Sequence, residues 1–200
     1  MDWQILSQQF AALSLPEVIA VATAVAYLLL AIRQNIWCWL FAGISTAIYV
    51  YLFILAKLYM ESVLNVFYFG MAIYGWWVWR RGGDQPGQLP VTVWALSVHT
   101  AAIAGIVFVS ALNGWLLDVY TDAQFPYVDS LTTWGAIWAT FLLARKVLEN
   151  WWYWLVIDAA SIAIYWSRDL HLTALLFCIY VLMIPAGLIS WHRSFRDQPA

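Results

Sequence analysis

Charged residues are scarce in this chain of 200 residues, which carries 9 Lys and Arg, 11 Asp and Glu, and a net charge of −2. A typical soluble protein is about a quarter charged and about half apolar, whereas this chain is 10% charged and 64% hydrophobic. So few basic residues also exclude the electrostatic footprint of a nucleic-acid-binding protein. The composition therefore excludes an ordinary water-soluble domain and predicts an integral membrane protein.

Residues that perform catalysis or bind metals are also few. The three histidines, His99, His171 and His192, are scattered without metal-ligand spacing, and the chain has no G-x-S-x-G motif or phosphate-binding loop. Cys38 and Cys178 both lie in apolar segments, so we expect no disulfide framework. The sequence therefore predicts a protein with no metal, no cofactor and no enzymatic activity.

Long apolar segments cover most of the chain, and charged, Gly or Pro residues separate them. Helices can cross lipid with every backbone group satisfied, and the alternating pattern of a β-barrel is absent. A span needs about 20 apolar residues, so seven spans leave only short loops. The sequence predicts an all-α integral membrane protein with seven transmembrane helices, near residues 17–32, 36–55, 62–79, 91–113, 128–144, 151–167 and 171–191.

The distribution of basic residues predicts the orientation of these helices. Cytoplasmic loops of membrane proteins carry the excess of Lys and Arg. If the N-terminus is outside, the only basic residues in the outer loops are Lys57 and Arg168. We therefore expect an outer N-terminus and a cytoplasmic C-terminus, with these basic residues inside: Arg33, Arg80, Arg81, Arg145, Lys146, Arg193 and Arg196.

Two sequence blocks recur in the same order along the chain. The pattern N-x-W-x-W-L at residues 35–40 returns 115 residues later at 150–155. A second set of four residues returns 112 residues later with identical spacing: Tyr68, Gly75, Trp79 and Arg81 match Tyr180, Gly187, Trp191 and Arg193. The matches indicate that a three-helix unit has been duplicated.

One unmatched helix separates the two copies, so equivalent helices cross the membrane in the same direction. Parallel repeats of this kind occur in transporters, with the substrate near the membrane midplane. We expect a first three-helix bundle at 1–82, a linker helix with an outer loop at 83–127, and a second three-helix bundle at 128–200. A substrate would then bind where the two bundles meet.

Asp158 is the only ionisable residue well inside a predicted span. A charge there is costly, so it normally borders a cavity or a partner. Asn150, Trp154, Asp158, Ser161 and Tyr165 fall at helical spacing on one face of the sixth helix. The pattern predicts a binding wall that combines an amide, an aromatic face, a carboxylate and two hydroxyls.

Further candidate binding residues lie on other helices: Trp39, Asn65, Tyr68, Trp134 and Tyr180. Aromatic platforms, amides and one anion suit a flat, polar, cationic aromatic molecule through stacking, cation–π contact and ion pairing. Structural roles are the alternative for some of these residues. Tryptophans near span ends belong to interfacial belts, and an intramembrane Asn can serve helix packing.

The chain resembles the PnuC family of bacterial vitamin transporters along nearly its whole length. The resemblance is strongest at residues 57–79, at Phe125–Ser130 and in the run Arg145-Lys146-Val147-Leu148-Glu149-Asn150-Trp151. It implies a 3+1+3 fold like that of the SWEET transporters, a homotrimer, and a location in the bacterial cytoplasmic membrane. It also implies facilitated diffusion of nicotinamide riboside without ion coupling.

Two departures from the family pattern bear on the substrate. Nicotinamide riboside members have Asn where this chain has Asp158, and Gln where it has Asn65. A carboxylate at Asp158 is expected in the thiamine-transporting relatives. Both vitamins carry a cationic aromatic ring, so both remain candidates, and family prevalence favours nicotinamide riboside. A membrane-embedded enzyme and an accessory subunit are the alternatives from other functional classes.

Overall fold

A computed structural model describes residues 13–55, 59–82 and 89–198, and these residues form seven α-helices joined by short connections. The only β pairing in this part of the chain is a single bridge between Thr92 and Val147. The predicted all-α class with seven helices is confirmed. The helices are α1 (Leu15–Ile32), α2 (Cys38–Leu55), α3 (Tyr59–Arg81), α4 (Leu96–Tyr120), α5 (Pro126–Ala144), α6 (Asn150–Ser167) and α7 (His171–Arg196).

Four of the helices, α1, α2, α4 and α7, are long and apolar enough to cross a membrane by length and composition. The other three contain many Trp and Tyr residues, whose polar N–H and O–H groups lower the hydropathy of a helix. Even the 18 residues of α6 extend roughly 27 Å at the helical rise, close to the thickness of the hydrocarbon core. The architecture is therefore that of a multi-pass membrane protein.

Helix α4 differs most from its predicted bounds, because it begins five residues later and ends seven residues later than expected. Before the helix, the Thr92 carbonyl accepts a bond from Leu148 N at 2.8 Å, which holds residues 92–95 outside the helix. Within the helix, the Asn113 amide donates to Ser130 Oγ at 2.9 Å. A tertiary contact therefore lies beside the start of this helix, and the helix continues for seven residues beyond Asn113.

Helices α1 and α5 end in the same way. Gln34 and Lys146 each adopt a positive φ, of 54° and 51°. The next residue in each case bonds back to the last helical turn, Asn35 N to Leu30 O and Val147 N to Leu142 O, both at 2.9 Å. This is the Schellman arrangement. The two turns lie 112 residues apart, the separation of the second sequence block, which supports the duplication.

The chain divides into two compact units. The first comprises the described residues of Met1–Val91 together with Leu143–Lys146 and Pro185–Ala200. The second comprises Thr92–Leu142 and Val147–Ile184, so it includes α4, α6, most of α5 and the first half of α7. The predicted division into bundles at 1–82 and 128–200 with a linker at 83–127 follows the order of the helices along the chain, whereas the two units group residues by proximity. That division stays a prediction.

In the second unit, α4 is packed closely against α5. Ser110 Oγ donates to the Ser130 carbonyl at 3.2 Å, beside the bond from Asn113. A Cβ atom on Gly114 would lie 2.9 Å from the Cα of Tyr127, so only glycine allows this approach. The linker helix is therefore fixed to α5 by both polar and steric contacts.

Candidate functional site

Asp158 lies in the middle of α6 with 4% of its surface exposed. Among the described residues, no hydrogen bond or ion pair reaches its carboxylate. Arg168, the basic residue that follows α6, is already engaged with Asp129 at 2.6 Å. An acid that is buried without a partner is costly in a protein interior, and such residues inside a membrane span are functional-site candidates.

The predicted stripe on α6 is directed mainly into the protein. Asn150 and Ser161 are buried along with Asp158, whereas Trp154 and Tyr165 are half-buried. Asn150 Nδ2 donates to the Val147 carbonyl at 2.6 Å, but no residue that the structure describes bonds to its buried Oδ1. The stripe therefore contains two polar side chains with unused hydrogen-bonding capacity.

Aromatic rings join α6 to α7 within the same unit. Tyr165 stacks on Phe177 with ring centroids 5.2 Å apart, and Phe177 contacts Tyr180 edge-on at 5.6 Å. Trp134, on α5, is 37% exposed. In the described part of the chain, neither Trp134 nor Trp154 makes a ring contact or a side-chain hydrogen bond, so both indoles remain available to a ligand.

Trp39, a candidate residue of the first unit, is more deeply buried than Trp134 and Trp154. Trp39 is 2% exposed, and its ring lies 6.1 Å from Tyr27 and 5.5 Å from Trp79. A Cβ atom on Gly75 would overlap the Trp39 indole, so this ring is packed directly against the backbone of α3. This indole is part of the helix packing of the first unit.

Asn65 and Tyr68 of the first unit are both half-buried. The amide of Asn65 donates to the Glu61 carbonyl in its own helix at 2.9 Å. The Tyr68 ring contacts Phe67 edge-on at 5.7 Å. These contacts neither assign nor exclude a role in binding, so the role of these two residues stays a prediction.

The sequence reasoning missed the role of Lys146, which it assigned to a loop only as an orientation signal. The side chain is 6% exposed. Its Nζ lies 4.6 Å from the centre of the Trp79 ring and 3.3 Å from Gln34 Oε1. Burial lowers the pKa of this ammonium to about 8, and the nearby Cys38 opposes the shift. The only feature of the sequence that could have indicated this burial is the position of the lysine between an arginine and an apolar stretch.

A second polar cluster that the sequence reasoning missed joins α4 to α6. His99 Nδ1 lies 3.1 Å from the Tyr153 hydroxyl, and His99 Nε2 lies 3.8 Å from Glu149 Oε2. Helix α4 is thus bonded to α6 near its start and to α5 through Ser110 and Asn113 in its second half. No metal-binding group of three or more His, Cys, Asp or Glu occurs in the described ranges.

Comparison with known proteins identifies the family. The sequence model described as the nicotinamide mononucleotide transporter matches residues 14–193, nearly the whole chain. The chain belongs to this transporter family. Its members are transporters, so the protein is not an enzyme, and the expected PnuC-type relationship is confirmed.

The curated relatives carry vitamins of two kinds. The nicotinamide riboside transporter PnuC of Escherichia coli (strain K12) is 26% identical over 195 residues, covering 84% of this chain and 81% of that protein. The riboflavin/roseoflavin transporter RibM of Streptomyces davaonensis is 26% identical over 179 residues, covering 86% and 82%. The chain is therefore a PnuC-family vitamin transporter, and equal identities leave the vitamin open.

A solved structure has the same fold. The crystal structure of the vitamin B3 transporter PnuC superposes with a TM-score of 0.70 at 20% identity, covering 90% of this chain and 82% of that chain. The seven-helix family fold is thus confirmed by an experimental structure. At this identity the likeness concerns the fold alone.

Proposed function

We propose that this family member carries nicotinamide riboside across the bacterial cytoplasmic membrane by facilitated diffusion. The observation that carries the proposal is the buried carboxyl group of Asp158, which no described residue bonds or pairs. The nicotinamide ring of the riboside is a pyridinium cation. A cation of this kind would supply the missing partner, because an ion pair offsets the cost of burying the acid.

The same observation disfavours riboflavin as the main substrate. The flavin ring is neutral, so it would leave the Asp158 carboxylate buried without a counter-charge. Hydrogen bonding to a neutral ring compensates less than a charge-assisted contact. The similarity to the riboflavin/roseoflavin transporter therefore supports the family fold but does not support that substrate for this chain.

Thiamine is the second candidate, and Asp158 is again the reason. Its thiazolium ring carries a positive charge, so the carboxylate would stabilise it as well as it stabilises a pyridinium. Nicotinamide riboside also has a ribose with several hydroxyl groups. The unpaired Oδ1 of Asn150 is an acceptor that such a hydroxyl would satisfy.

Aromatic stacking would position the ring in either case. Trp154 lies one helical turn before Asp158 on α6, and its indole has no ring partner among the described residues. Tyr180 and Trp134 are further partly exposed aromatic residues of this unit. Roles for Trp39, Asn65 and Tyr68 of the first unit belong to the same proposal but have weaker support. A homotrimer and a cytoplasmic C-terminus also stay predictions.

Binding of the three vitamins to the purified protein tests the substrate. Intrinsic tryptophan fluorescence should report binding of nicotinamide riboside, with thiamine weaker and riboflavin weakest. Binding of riboflavin alone would refute the role of the Asp158 charge. Binding of thiamine alone would leave that role intact and replace the vitamin.

Uptake into liposomes tests the mechanism separately. With no ion gradient, the internal vitamin concentration should rise to the external concentration and stop there. Uptake that requires a proton gradient would contradict facilitated diffusion, although the vitamin assignment could still hold.

A further inference from the structure

Four helix ends meet in a cluster that the vitamin-binding proposal does not use. The cluster is formed by Trp79, Trp191, Lys146 and the carbonyl groups that they contact at the ends of α1 and α5. Trp79 is 2% exposed, Trp191 is fully buried, and Lys146 is 6% exposed. All three residues belong to the first compact unit. The basic residues near these helix ends assign them to the predicted cytoplasmic side.

The two tryptophans make reciprocal hydrogen bonds between the sequence repeats. Trp79 of α3 donates its indole N–H to the Ala144 carbonyl at the end of α5, at 3.1 Å. Trp191, its equivalent 112 residues later, donates to the Ala31 carbonyl at the end of α1, at 3.0 Å. Each repeat therefore caps the other repeat's first helix, and the rings lie 6.3 Å apart.

Two further contacts strengthen the connection between the repeats. Ser190 Oγ donates to the Ile32 carbonyl at 2.8 Å, beside the bond from Trp191. Lys146, which follows α5, donates to Gln34 Oε1 and lies over the Trp79 ring. The main-chain acceptors, the carbonyls of Ala31, Ile32 and Ala144, lie at the C-terminal ends of helices and carry partial negative charge. The Ala31 carbonyl also accepts a bond from Gln34 N at 3.0 Å.

We propose that Trp79, Trp191 and Lys146 form a latch that holds this end of the protein closed and must release during each transport cycle. The bonds are few and directional, and the carbonyl acceptors can be hydrated by water once the end opens. The net contribution of one such hydrogen bond to the stability of the closed state is small. Breaking these bonds in each cycle is therefore compatible with rapid turnover. The latch rests on the proposed facilitated diffusion, which requires this end of the protein to open and close, but it does not depend on which vitamin is carried.

Cys38 offers a native reporter for the opening of this end. It is the first residue of α2, it is fully buried, and it directly precedes Trp39, whose ring lies 5.5 Å from that of Trp79. Its alkylation by a small maleimide requires local opening, so the rate reports the open population. Replacing Cys178 by Ser leaves Cys38 as the only thiol, because the chain has two cysteines.

The test compares Trp79→Phe and Trp191→Phe in the Cys178→Ser protein. Each substitution keeps an aromatic ring and the charge of Lys146 but removes one N–H donor. We expect alkylation of Cys38 to accelerate about tenfold when both are combined, equivalent to ~1.4 kcal/mol. Trp77→Phe is the matched control, because this indole lies on the same helix but is 51% exposed.

Two results would overturn the latch. The first is an unchanged rate of Cys38 alkylation in both variants. The second is an equal acceleration of Cys178 in a Cys38→Ser background, because this would indicate general loosening of the fold. A protein that carries no vitamin would refute the proposed function, yet the alkylation comparison would still decide whether these bonds hold the end closed.

Discussion

The two repeats share a helical frame but differ at the position of Asp158, the candidate binding residue. At the separation of 115 residues, Asp158 of α6 corresponds to Gly43 of α2, and Trp154 corresponds to Trp39. A Cβ atom on Gly43 would meet ordinary packing neighbours, Phe69 and Ala72, at 3.8 and 3.9 Å. The first repeat therefore uses this stretch of helix for packing, whereas the second repeat has an unpaired acid there.

The opposite holds at the predicted cytoplasmic end, where the repeats remain alike. Trp79 and Trp191 are both buried and make equivalent bonds to helix-end carbonyls. Duplicated sequence is thus retained where both copies support the same structural contact, and it has diverged where one copy can serve a ligand. Substitutions at equivalent positions can test this contrast.

The largest effect is expected at Asp158. Asp158→Asn should weaken binding of a cationic vitamin about ten- to a hundredfold, because the charge-assisted contact is lost while the shape is kept. Titration of tryptophan fluorescence in the purified variant measures the change. Asp129→Asn is the matched control, because Asp129 is paired with Arg168. Equal affinity in the wild type and Asp158→Asn would remove the carboxylate from the site.

A smaller effect should appear in the packing of the first repeat. Gly75→Ala should lower the free energy of unfolding by ~1–3 kcal/mol, because the new methyl group overlaps the Trp39 indole. Gly43→Ala should change it by less than about 0.5 kcal/mol, since the added carbon makes only ordinary contacts, at 3.8 and 3.9 Å. Thermal unfolding of both variants in detergent measures the difference. Similar values for the two would contradict the tight seating of Trp39.

The smallest effect concerns pH and Lys146. Burial lowers the pKa of this lysine from its ordinary 10.5 to about 8. Between these values the folded protein has released a proton that the unfolded chain still binds, so this group makes stability rise with pH. The melting temperature of the wild type, relative to that of Lys146→Met, should therefore rise from pH 8 towards pH 10. A flat or falling difference would show that the ammonium is well solvated.

Much of the fold was predictable from the order of apolar and charged residues. Five of the seven helices begin and end within three residues of the predicted bounds, because lipid spans require long uninterrupted apolar helices, and α7 begins as predicted but ends five residues later. The start of α4 was not predictable, since Thr92 pairs with Val147 and Leu148 just before the helix begins. These partners are distant in sequence, and no local pattern reveals them.

Only part of the candidate site could be predicted. The acid in α6 stands out in the sequence because no other charge lies so deep in a span. The contrasting environments of Trp39 and Trp154 could not be seen in the sequence, because both residues occupy the same position of a repeated motif. Lys146 was treated as a loop residue, since its burial depends on Trp79 and Gln34, which precede it by 67 and 112 residues.

Composition and the order of apolar segments alone determined that this chain crosses a membrane with seven helices, because transfer into lipid depends on the residues of each segment by themselves. The recurring sequence blocks predict a duplicated unit. Tertiary structure decided which equivalent side chains became packing elements, which acid was left without a partner, and which indoles cap distant helix ends. Those outcomes depend on the distances between side chains of different helices, and these distances arise only when the helices pack together.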